Sequence, residues 1–424
     1  MKHTFATLLL AVASVLAAGA QARLAEVTSD LGKAGGVYYA YPVNESKNTP
    51  APKGYEPFYI SHYGRHGSRY LISDNDYTAP AEVLRHAKQH NALTPLGLDV
   101  LARLDSVYTE ARGRGGELSP LGARQHHDIA HRMYDAFPQV FAKDARVEAS
   151  STTIMRCAHS MWNFTEGLKE RAPWLEIPRE SSERNMYFLN YHSPESAPYS
   201  SSKTGPYYQT WRKYKAESTH TDRLMASLFS DPEYVRTWID PLQLMWQLYW
   251  VTVGQQNIES TLDFTDIFTP RELYDMWTVF NFEFFGRNSS YAPAKGEFTA
   301  NASNLVRHMV EQADSCIARG GHGATLRFGH DGNIVPLAAL LQLEGCYTDI
   351  TEPSQLPEGW ADFEVSPMAA NLQIVFFRNK QGNVIAKLML NERETHIPLA
   401  TDNWPFYQWD DLRPYLLKIS EPIH

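Results

Sequence analysis

The chain has 424 residues, of which 21% are charged and 43% are hydrophobic. It is long and apolar enough for one large α/β domain with an insertion, or for two domains, and nothing in its composition indicates intrinsic disorder. Its 39 Lys and Arg are outnumbered by 48 Asp and Glu, for a formal net charge of −9, which disfavours non-specific binding to nucleic acid.

The N-terminal segment has the pattern of a secretory signal peptide. Lys2 supplies a positive charge, Leu8–Ala18 is a short apolar run, and Ala20-Gln21-Ala22 is a small-x-small cleavage site. We therefore expect residues 1–22 to be removed and the mature protein to be secreted or periplasmic. The apolar run is too short and too rich in Ala for a membrane anchor, so none is expected.

Short strands followed by helices recur along the mature chain. Strands are predicted at Pro57–His62, Arg146–Ala149 and Ala324–Phe328. The predicted helices are, in chain order, Ala79–Asn91, Pro95–Arg112, one that begins at Pro120 with Ser119 as its N-cap, Thr152–Leu168, Gly332–Leu343 and Trp409–Ile419. The runs Leu372–Phe377 and Val384–Leu390 predict a hairpin. Strand–loop–helix units of this kind predict an α/β fold with a mainly parallel sheet flanked by helices.

The segment 173–300 differs from the rest of the chain in its residue pattern, since it has helical periodicity, many Trp and Tyr residues and several prolines that interrupt the helices. We interpret it as an inserted, mostly α-helical cap domain. Residues 23–172 and 301–424 would then form one α/β catalytic domain on either side of the insertion.

Two arginines flank a histidine in the sequence Arg65-His66-Gly67-Ser68-Arg69, which is predicted to lie on the loop at the carboxyl end of the first predicted strand. Guanidinium groups match the oxygens of a phosphate group in bidentate geometry. A neutral imidazole between them could attack phosphorus, and Gly67 would let the backbone approach an anion closely. The alternative interpretation of this short string is a basic, solvated loop.

Two more polar groups follow predicted strands. In Gly329-His330-Asp331, a histidine and an aspartate stand at the start of a helix, where an anion is favoured. Alternatively, Asp331 only caps that helix and His330 fills a polar pocket. Arg156 lies on the helix after the second strand, where its alternative role is a surface ion pair. Because ligands of open α/β sheets bind at the carboxyl ends of the strands, the three groups are expected to form one site.

Four segments together resemble the histidine acid phosphatases, the branch that includes phytases and multiple inositol polyphosphate phosphatases. They are RHGSR at 65–69, LSPLGARQ at 118–125, Arg156 with Ser160, and GHDGN at 329–333. They occur in the family's order and span most of the mature chain. The resemblance implies an α/β domain with an inserted helical cap and a phosphomonoesterase that uses no cofactor and no metal.

The resemblance also implies a role for each matching residue. His66 would be the nucleophile that forms a phosphohistidine. Asp331 would protonate the leaving oxygen and then activate water. The transferring phosphoryl group would be bound by Arg65, Arg69, Arg156 and His330.

The motifs favour two different subgroups of that family. The run HYGRHGSRY is closest to the inositol polyphosphate phosphatases, but that group commonly has His-Ala-Glu where this chain has His330-Asp331, as in bacterial phytases and acid phosphatases. The expected substrate is a small-molecule phosphomonoester, with phytate or another inositol polyphosphate first. The alternatives are a broad-specificity acid phosphatase acting on sugar phosphates, a mutase-type phosphoryl transfer, and a polyanion-binding protein of the same fold.

Three basic residues in the cap segment are candidate substrate contacts, namely Arg184, Lys213 and Lys215. The alternative for the two lysines is a solvated helix face.

Two pairs of histidines have the i, i+4 spacing of helical metal ligands, His86 with His90 and His127 with His131, but no third ligand is apparent in the sequence. Such pairs are most simply ordinary helix-face residues, and no metal is expected. Cys316 and Cys346 could pair in an oxidising compartment, and the sequence leaves this open.

Overall fold

The structure, a computed structural model, describes residues 21–43 and 48–421 and is built around a mixed sheet. Its strands are β1 Tyr55–Arg65, β2 Arg146–Ser151, β3 Arg179–Ser181, β4 Gly323–Gly329, β5 Asn371–Asn379, β6 Val384–Leu390, β7 Arg393–Glu394 and β8 Tyr407–Gln408. The strand order is β3-β2-β4-β1-β5-β6-β7, and β8 pairs with β6.

The sheet has a parallel half and an antiparallel half. β3, β2, β4 and β1 run parallel to one another, whereas β5 is antiparallel to β1 and forms a hairpin with β6. The hairpin predicted at 372–390 is therefore confirmed, and so is the α/β fold class. The parallel half contains all three predicted strand–loop–helix units, which is the part of the sheet that positions the site.

The longer helices are Asn75–Gln89, Pro95–Ala111, Pro120–Ala136, Met155–Arg171, Tyr208–Ser218, Asp222–Leu228, Pro232–Trp238, Pro241–Gly254, Pro270–Asn288, Ser303–Arg319, Asp331–Leu340 and Trp409–Ile419. The helices predicted to begin at Pro95, Pro120 and Trp409 do so, whereas the helix predicted from Ala79 begins at Asn75 and the one predicted from Gly332 begins at Asp331. Shorter helices are Met186–Leu189, Ala197–Ser200, Glu297–Ala300, Leu356–Gly359 and Asp362–Val365, and residues 21–29 are also helical. Ser119 caps its helix as predicted, since its side chain accepts from the backbone N–H of Gly122.

The predicted helix Thr152–Leu168 starts later than expected, at Met155. The backbone N–H of Thr152 donates to Phe328 O of β4, so the hydrogen bonding between the two strands extends one residue beyond Ser151, the last residue of β2. This shift leaves Thr152 facing the strand-end cluster described below.

Both faces of the sheet are covered by helices. One face packs against Pro120–Ala136 and Met155–Arg171, through side chains that include Ile60, Phe164 and Phe328. The other face packs against Ser303–Arg319, Asp331–Leu340 and Trp409–Ile419. A strand enclosed in this way is shielded on both faces, and β1 is buried from Phe58 to Arg65, which includes most of the aromatic and β-branched run predicted at Pro57–His62.

A third core lies among helices beside the sheet. It joins Asn75–Gln89 and Pro95–Ala111 to Pro241–Gly254 and Pro270–Asn288, which fall inside the predicted cap segment. β3 also falls inside 173–300, yet it pairs with β2, so the sheet continues to Ser181. The division into 23–172 with 301–424 and a cap at 173–300 stays a prediction.

Most of the predicted signal peptide lies outside the described residues, which begin at position 21. Arg23, immediately after the predicted cleavage site, pairs with Glu364 and donates from Nε to the carbonyl of Pro357. Within the described part of the chain, no helix is long and apolar enough to cross a bilayer. Cys316 and Cys346 are both buried and are not bonded to each other.

Candidate active site

The carboxyl ends of three parallel strands bring the predicted polar groups together. β1 ends at Arg65, which stands opposite Gly329 at the end of β4, and Ser151 at the end of β2 stands opposite Phe328. The segments that follow, 66–69, 330–331 and 152–156, therefore meet at one edge of the sheet. This placement agrees with the site predicted from the sequence.

Arg65 is fully buried and already has several partners. Its Nη1 donates to the carbonyls of Val37 and Ser366, and its Nη2 lies 2.7 Å from Asp331 Oδ2. Burial lowers the pKa of Arg65, an effect that the negative charge of Asp331 opposes. The guanidinium is thus fixed in place, with one edge turned towards the carboxylate.

The ring of His66 is held in one tautomer. Its Nδ1 lies 2.9 Å from the carbonyl oxygen of Gly67, and a carbonyl oxygen can only accept, so Nδ1 carries the ring hydrogen. Nε2 then keeps its lone pair. Burial, followed by the charges of Arg65, Arg156 and Arg69, lowers the pKa of His66 well below 6.5. The imidazole is therefore neutral over a wide pH range and available as a nucleophile.

Two further arginines lie close to this ring. Arg69 donates to Tyr70 O and to the hydroxyl of Tyr38, and its guanidinium stands 4.8 Å from the centre of the Tyr38 ring. Burial lowers the pKa of Arg156, with a further contribution from the positive charge of Arg69.

The Nε atoms of Arg65, Arg69 and Arg156 are all buried, and none has a hydrogen-bond partner among the described residues. Unpaired buried donors are unfavourable unless a bound group accepts from them. Three such cations in one place favour the binding of an anion there, despite the negative net charge of the chain.

His330 and Asp331 complete the cluster from the end of β4. His330 Nε2 lies 3.1 Å from Thr152 Oγ1, and its ring centre is 5.8 Å from that of His66. Burial lowers the pKa of His330 to about 4, although Asp331 opposes the shift.

The Asp331 carboxylate accepts from Arg65 and from the backbone N–H of Gly332, and its side chain is 27% exposed. Burial tends to raise the pKa of Asp331, but the charges of Arg65 and His330 outweigh it, and the pKa lies below 3.8. The free protein therefore holds Asp331 as a carboxylate near neutral pH.

The segment LSPLGARQ, residues 118–125, holds the loop that carries His66 through hydrogen bonds to Ser68. Ser119 donates from both its backbone N–H and its hydroxyl to Ser68 O, and Gln125 binds the backbone N–H and the hydroxyl of Ser68. Gly67 receives one more contact, because its N–H donates to Ser160 Oγ. The motif residues of the helices Pro120–Ala136 and Met155–Arg171 thus fix the loop in place.

We expect Gly67→Ala to lower kcat/KM by roughly 10²-fold, since a small misplacement of a reacting group has an effect of this order. A Cβ at position 67 would lie 2.4 Å from Gly122 O, and a backbone atom cannot move aside cheaply. Steady-state kinetics of the variant test this. Gly321→Ala is the matched control, because a Cβ there meets nothing within 4 Å. Equal losses in both variants would contradict the argument.

A buried carboxyl stands behind Arg65. Asp362 accepts from Trp277 Nε1 at 3.0 Å and from the backbone N–H of Val37 at 3.2 Å, while the Val37 carbonyl accepts from Arg65. Burial raises the pKa of Asp362 to about 7, although the two N–H donors oppose this. Asp362 therefore positions the segment that holds Arg65.

This carboxyl should make stability depend on pH. Because its pKa is raised on folding, Asp362 contributes stability that is present below its unfolded pKa near ~3.9 and lost as pH rises through about 7. We expect the free energy of unfolding to fall by roughly 2–4 kcal/mol between pH 4 and pH 8 in the wild type, relative to Asp362→Asn.

Chemical denaturation across this pH range measures the difference. Asp402→Asn, at an exposed position, is the control and should keep the wild-type slope. A wild-type slope that persists in Asp362→Asn would contradict the assignment.

The three candidate substrate contacts of the cap segment are each engaged elsewhere. Arg184 pairs with Glu180 at 2.7 Å, and Lys213 lies 3.8 Å from Glu217 on its own helix. Lys215 stands 4.2 Å from the centre of the Trp246 ring, and burial lowers its pKa. Their contact with a substrate stays a prediction.

Several residues of the site were not predicted from the sequence. They are Val37, Tyr38, Thr152 as the partner of His330, Ser366 and Asp362. Thr152 had a usable signal, since it follows the second strand directly. Val37, Tyr38, Ser366 and Asp362 lie on segments that do not follow a predicted strand and carry no recognisable motif.

The family model of the histidine phosphatase superfamily (branch 2) matches residues 64–391. No curated protein sequence gives a match.

Solved structures of the same fold share little sequence with it. The multiple inositol polyphosphate phosphatase of Bifidobacterium longum, in complex with inositol hexasulfate, superposes with a TM-score of 0.73 at 19% identity, covering 91% of this chain and 97% of that one. The phytase of D. castellii gives 0.68 at 15% identity, covering 92% and 85%. The apo phytase of Hafnia alvei gives 0.53 at 13%, covering 88% and 98%.

Proposed function

The chain belongs to branch 2 of the histidine phosphatase superfamily and is a phosphatase, and we propose that it hydrolyses phosphomonoesters through a phosphohistidine on His66. The observation that carries this proposal is the fixed tautomer of His66. With Nδ1 donating to Gly67 O, the lone pair of Nε2 is free beside three arginines. Covalent catalysis of this kind divides one difficult displacement into two easier ones.

In the first step, His66 Nε2 attacks phosphorus, and the bond between phosphorus and the ester oxygen breaks. Asp331 in its protonated form gives its proton to the leaving oxygen, so an alcohol departs rather than an alkoxide. In the second step, the Asp331 carboxylate takes a proton from water as that water attacks phosphorus. The N–P bond breaks, phosphate is released, and Asp331 is again protonated.

The arginines stabilise the group that is transferred. Its negative charge is spread over three equatorial oxygens, and positioned cations stabilise that charge without reorganisation. A phosphoryl group near Arg65 competes with Asp331 for the same guanidinium, which lies 2.7 Å from the carboxylate. Substrate binding therefore raises the pKa of Asp331 and favours its protonated, proton-donating form.

The substrate we propose is phytate or another inositol polyphosphate. Support comes from the first motif, HYGRHGSRY, and from the phytases and the inositol polyphosphate phosphatase that share the fold. A cavity of about 350 Å³ also borders the helix that starts at Asp331, and its lining includes His192, Arg287 and Asn288. These polar side chains could hold the remaining phosphates of a polyphosphorylated ring.

A substrate panel tests the proposed function. Phytate, sugar phosphates and an aryl phosphate are incubated with the purified protein, and the products from phytate are analysed for the position attacked. The highest kcat/KM on phytate supports the proposal. Similar values across the panel would indicate a broad-specificity acid phosphatase, and no phosphate release from any substrate would overturn the proposed reaction.

We further propose that the enzyme is exported, because the pattern over residues 1–22 is that of a signal peptide. The N-terminal sequence of protein recovered from the extracytoplasmic fraction should begin at Arg23. An N-terminus that retains residues 1–22 in the cytosolic fraction would contradict this.

A further inference from the structure

A separate cluster lies on the two helices that support the His66 loop. His127 and His131 are one turn apart on Pro120–Ala136, with ring centres 4.2 Å apart. Glu170 projects from the neighbouring helix, Met155–Arg171. Its Oε2 lies 2.9 Å from His127 Nε2 and 3.0 Å from His131 Nε2. The sequence showed the histidine pair alone, because the third member belongs to another helix.

The helix backbones hold this arrangement in place. Gly167, one turn before Glu170, packs against Pro120–Ala136 so closely that a Cβ would lie 2.8 Å from His127 O. Arg171 and Asp135 form an ion pair across the same two helices. The three side chains are therefore brought together by rigid elements rather than by a loop.

The three ligand atoms have suitable chemistry for a metal ion. Two imidazole nitrogens and one carboxylate oxygen, all within 4.8 Å of one another, are donors that suit zinc and its neighbours in the first transition row. Tetrahedral zinc with bonds of about 2.0–2.1 Å would separate the ligands by about 3.4 Å. Glu170 Oε2 lies 2.9 and 3.0 Å from the two imidazole nitrogens, and an outward movement of this side chain, which is 58% exposed, would bring it to that spacing.

An outer carboxylate is also present. Asp128 Oδ1 lies 3.5 Å from His127 Nδ1, on the side of the ring away from Glu170. Histidines that bind metals usually donate their second ring N–H to such a group, which fixes the tautomer and the ring orientation. The cluster therefore contains an outer carboxylate, Asp128, the His127 imidazole that it faces, and two further ligands, His131 and Glu170. This distinguishes it from a simple pair of adjacent surface histidines.

We propose that His127, His131 and Glu170 bind one divalent transition-metal ion, with solvent completing its coordination. The site is distinct from the phosphate cluster, since Glu170 lies about 21 Å along its helix from Arg156 at the α-helical rise of 1.5 Å per residue. The ion would cross-link the two helices that hold Gly67 and Ser68, and so stabilise the folded protein.

Zinc titration of the full, tag-free protein tests this, after a chelator has removed bound metal. Isothermal calorimetry should show one Zn²⁺ per chain, and His131→Gln and Glu170→Gln should each weaken binding by more than about 100-fold. Asp128→Asn should weaken it by about 10-fold. The matched control is His90→Gln, which alters the other i, i+4 pair, His86 and His90, whose neighbours are Tyr234 and Trp238.

Thermal unfolding gives a second readout. Zn²⁺ should raise the Tm of the wild type and of His90→Gln, with a shift that grows with its concentration, but should leave Glu170→Gln unchanged. Phosphatase activity of the variants without zinc shows that they fold. The absence of saturable binding, or equal binding by wild type and Glu170→Gln, would overturn the site and would show that Glu170 only accepts hydrogen bonds from the two rings.

Discussion

Replacement of His66 by Ala should abolish phosphate release from every substrate, with a loss in kcat of at least about 10⁴-fold, since removal of a covalent nucleophile leaves only binding and charge stabilisation. The effect should not depend on the leaving group, because the N–P bond must form whichever ester is used. Steady-state assays on phytate and on an aryl phosphate measure it. Turnover retained on either substrate would show that another group attacks phosphorus.

The same variant should still bind phosphate, and this separates lost chemistry from lost folding. The guanidinium of Arg65 is held by Val37, Ser366 and Asp331, and none of these contacts involves the His66 ring. Inorganic phosphate should therefore protect His66→Ala against thermal unfolding much as it protects the wild type. In the wild type, mixtures quenched in alkali should contain a phosphate on this histidine that is stable to base and labile to acid, and in His66→Ala they should not.

The part of the site that follows strand ends could be predicted from the sequence. Arg65 is the last residue of β1, His66 follows it, and His330 and Asp331 follow β4. Because parallel strands align their carboxyl ends, the meeting of these residues follows from elementary topology. The role of LSPLGARQ could be predicted only as part of a resemblance. The structure adds a physical reason, because Ser119, Gly122 and Gln125 contact Gly67 and Ser68 directly.

The remaining contacts depend on long-range packing that no local pattern encodes. Tyr38 and Val37 come from a 3₁₀ segment, Leu31–Tyr38, that lacks any motif, and Asp362 comes from a short helix near the other end of the chain. Glu170 is equally hidden, since only the close approach at Gly167 places it on the His127 and His131 pair. Sequence periodicity predicts which face of its own helix or strand a residue occupies. It does not show which helix or strand from elsewhere in the chain packs against that face.

Asp331→Asn should separate the two chemical steps. For an alkyl ester such as phytate, formation of the phosphohistidine should slow by about 10²–10⁴-fold, because an alkoxide would have to leave without a proton. For an aryl phosphate, whose leaving group is stable as an anion, the first step should proceed nearly as in the wild type. Hydrolysis of the phosphohistidine should then be slow, since Asn cannot take the proton from water. Rapid-mixing experiments should therefore show a burst with the aryl substrate only.

The pH dependence of the wild type follows from the same residue, because a proton donor acts only when it is protonated. Activity should fall as pH rises through the pKa of Asp331, which the charge of Arg65 holds low in the free enzyme and which bound phosphate raises. His66 must be neutral, and its pKa lies well below 6.5, so it stays reactive in acid. The two requirements overlap at acidic pH, where we expect the optimum on alkyl esters.

The variant Asp331→Asn separates the titration of Asp331 from that of the substrate. Ionisation of the substrate changes the activity of the wild type and of Asp331→Asn in the same way. A loss of activity at rising pH that occurs in the wild type but not in the variant is therefore due to Asp331. A wild-type optimum above neutrality, or an identical decline in the variant, would assign proton donation to another group.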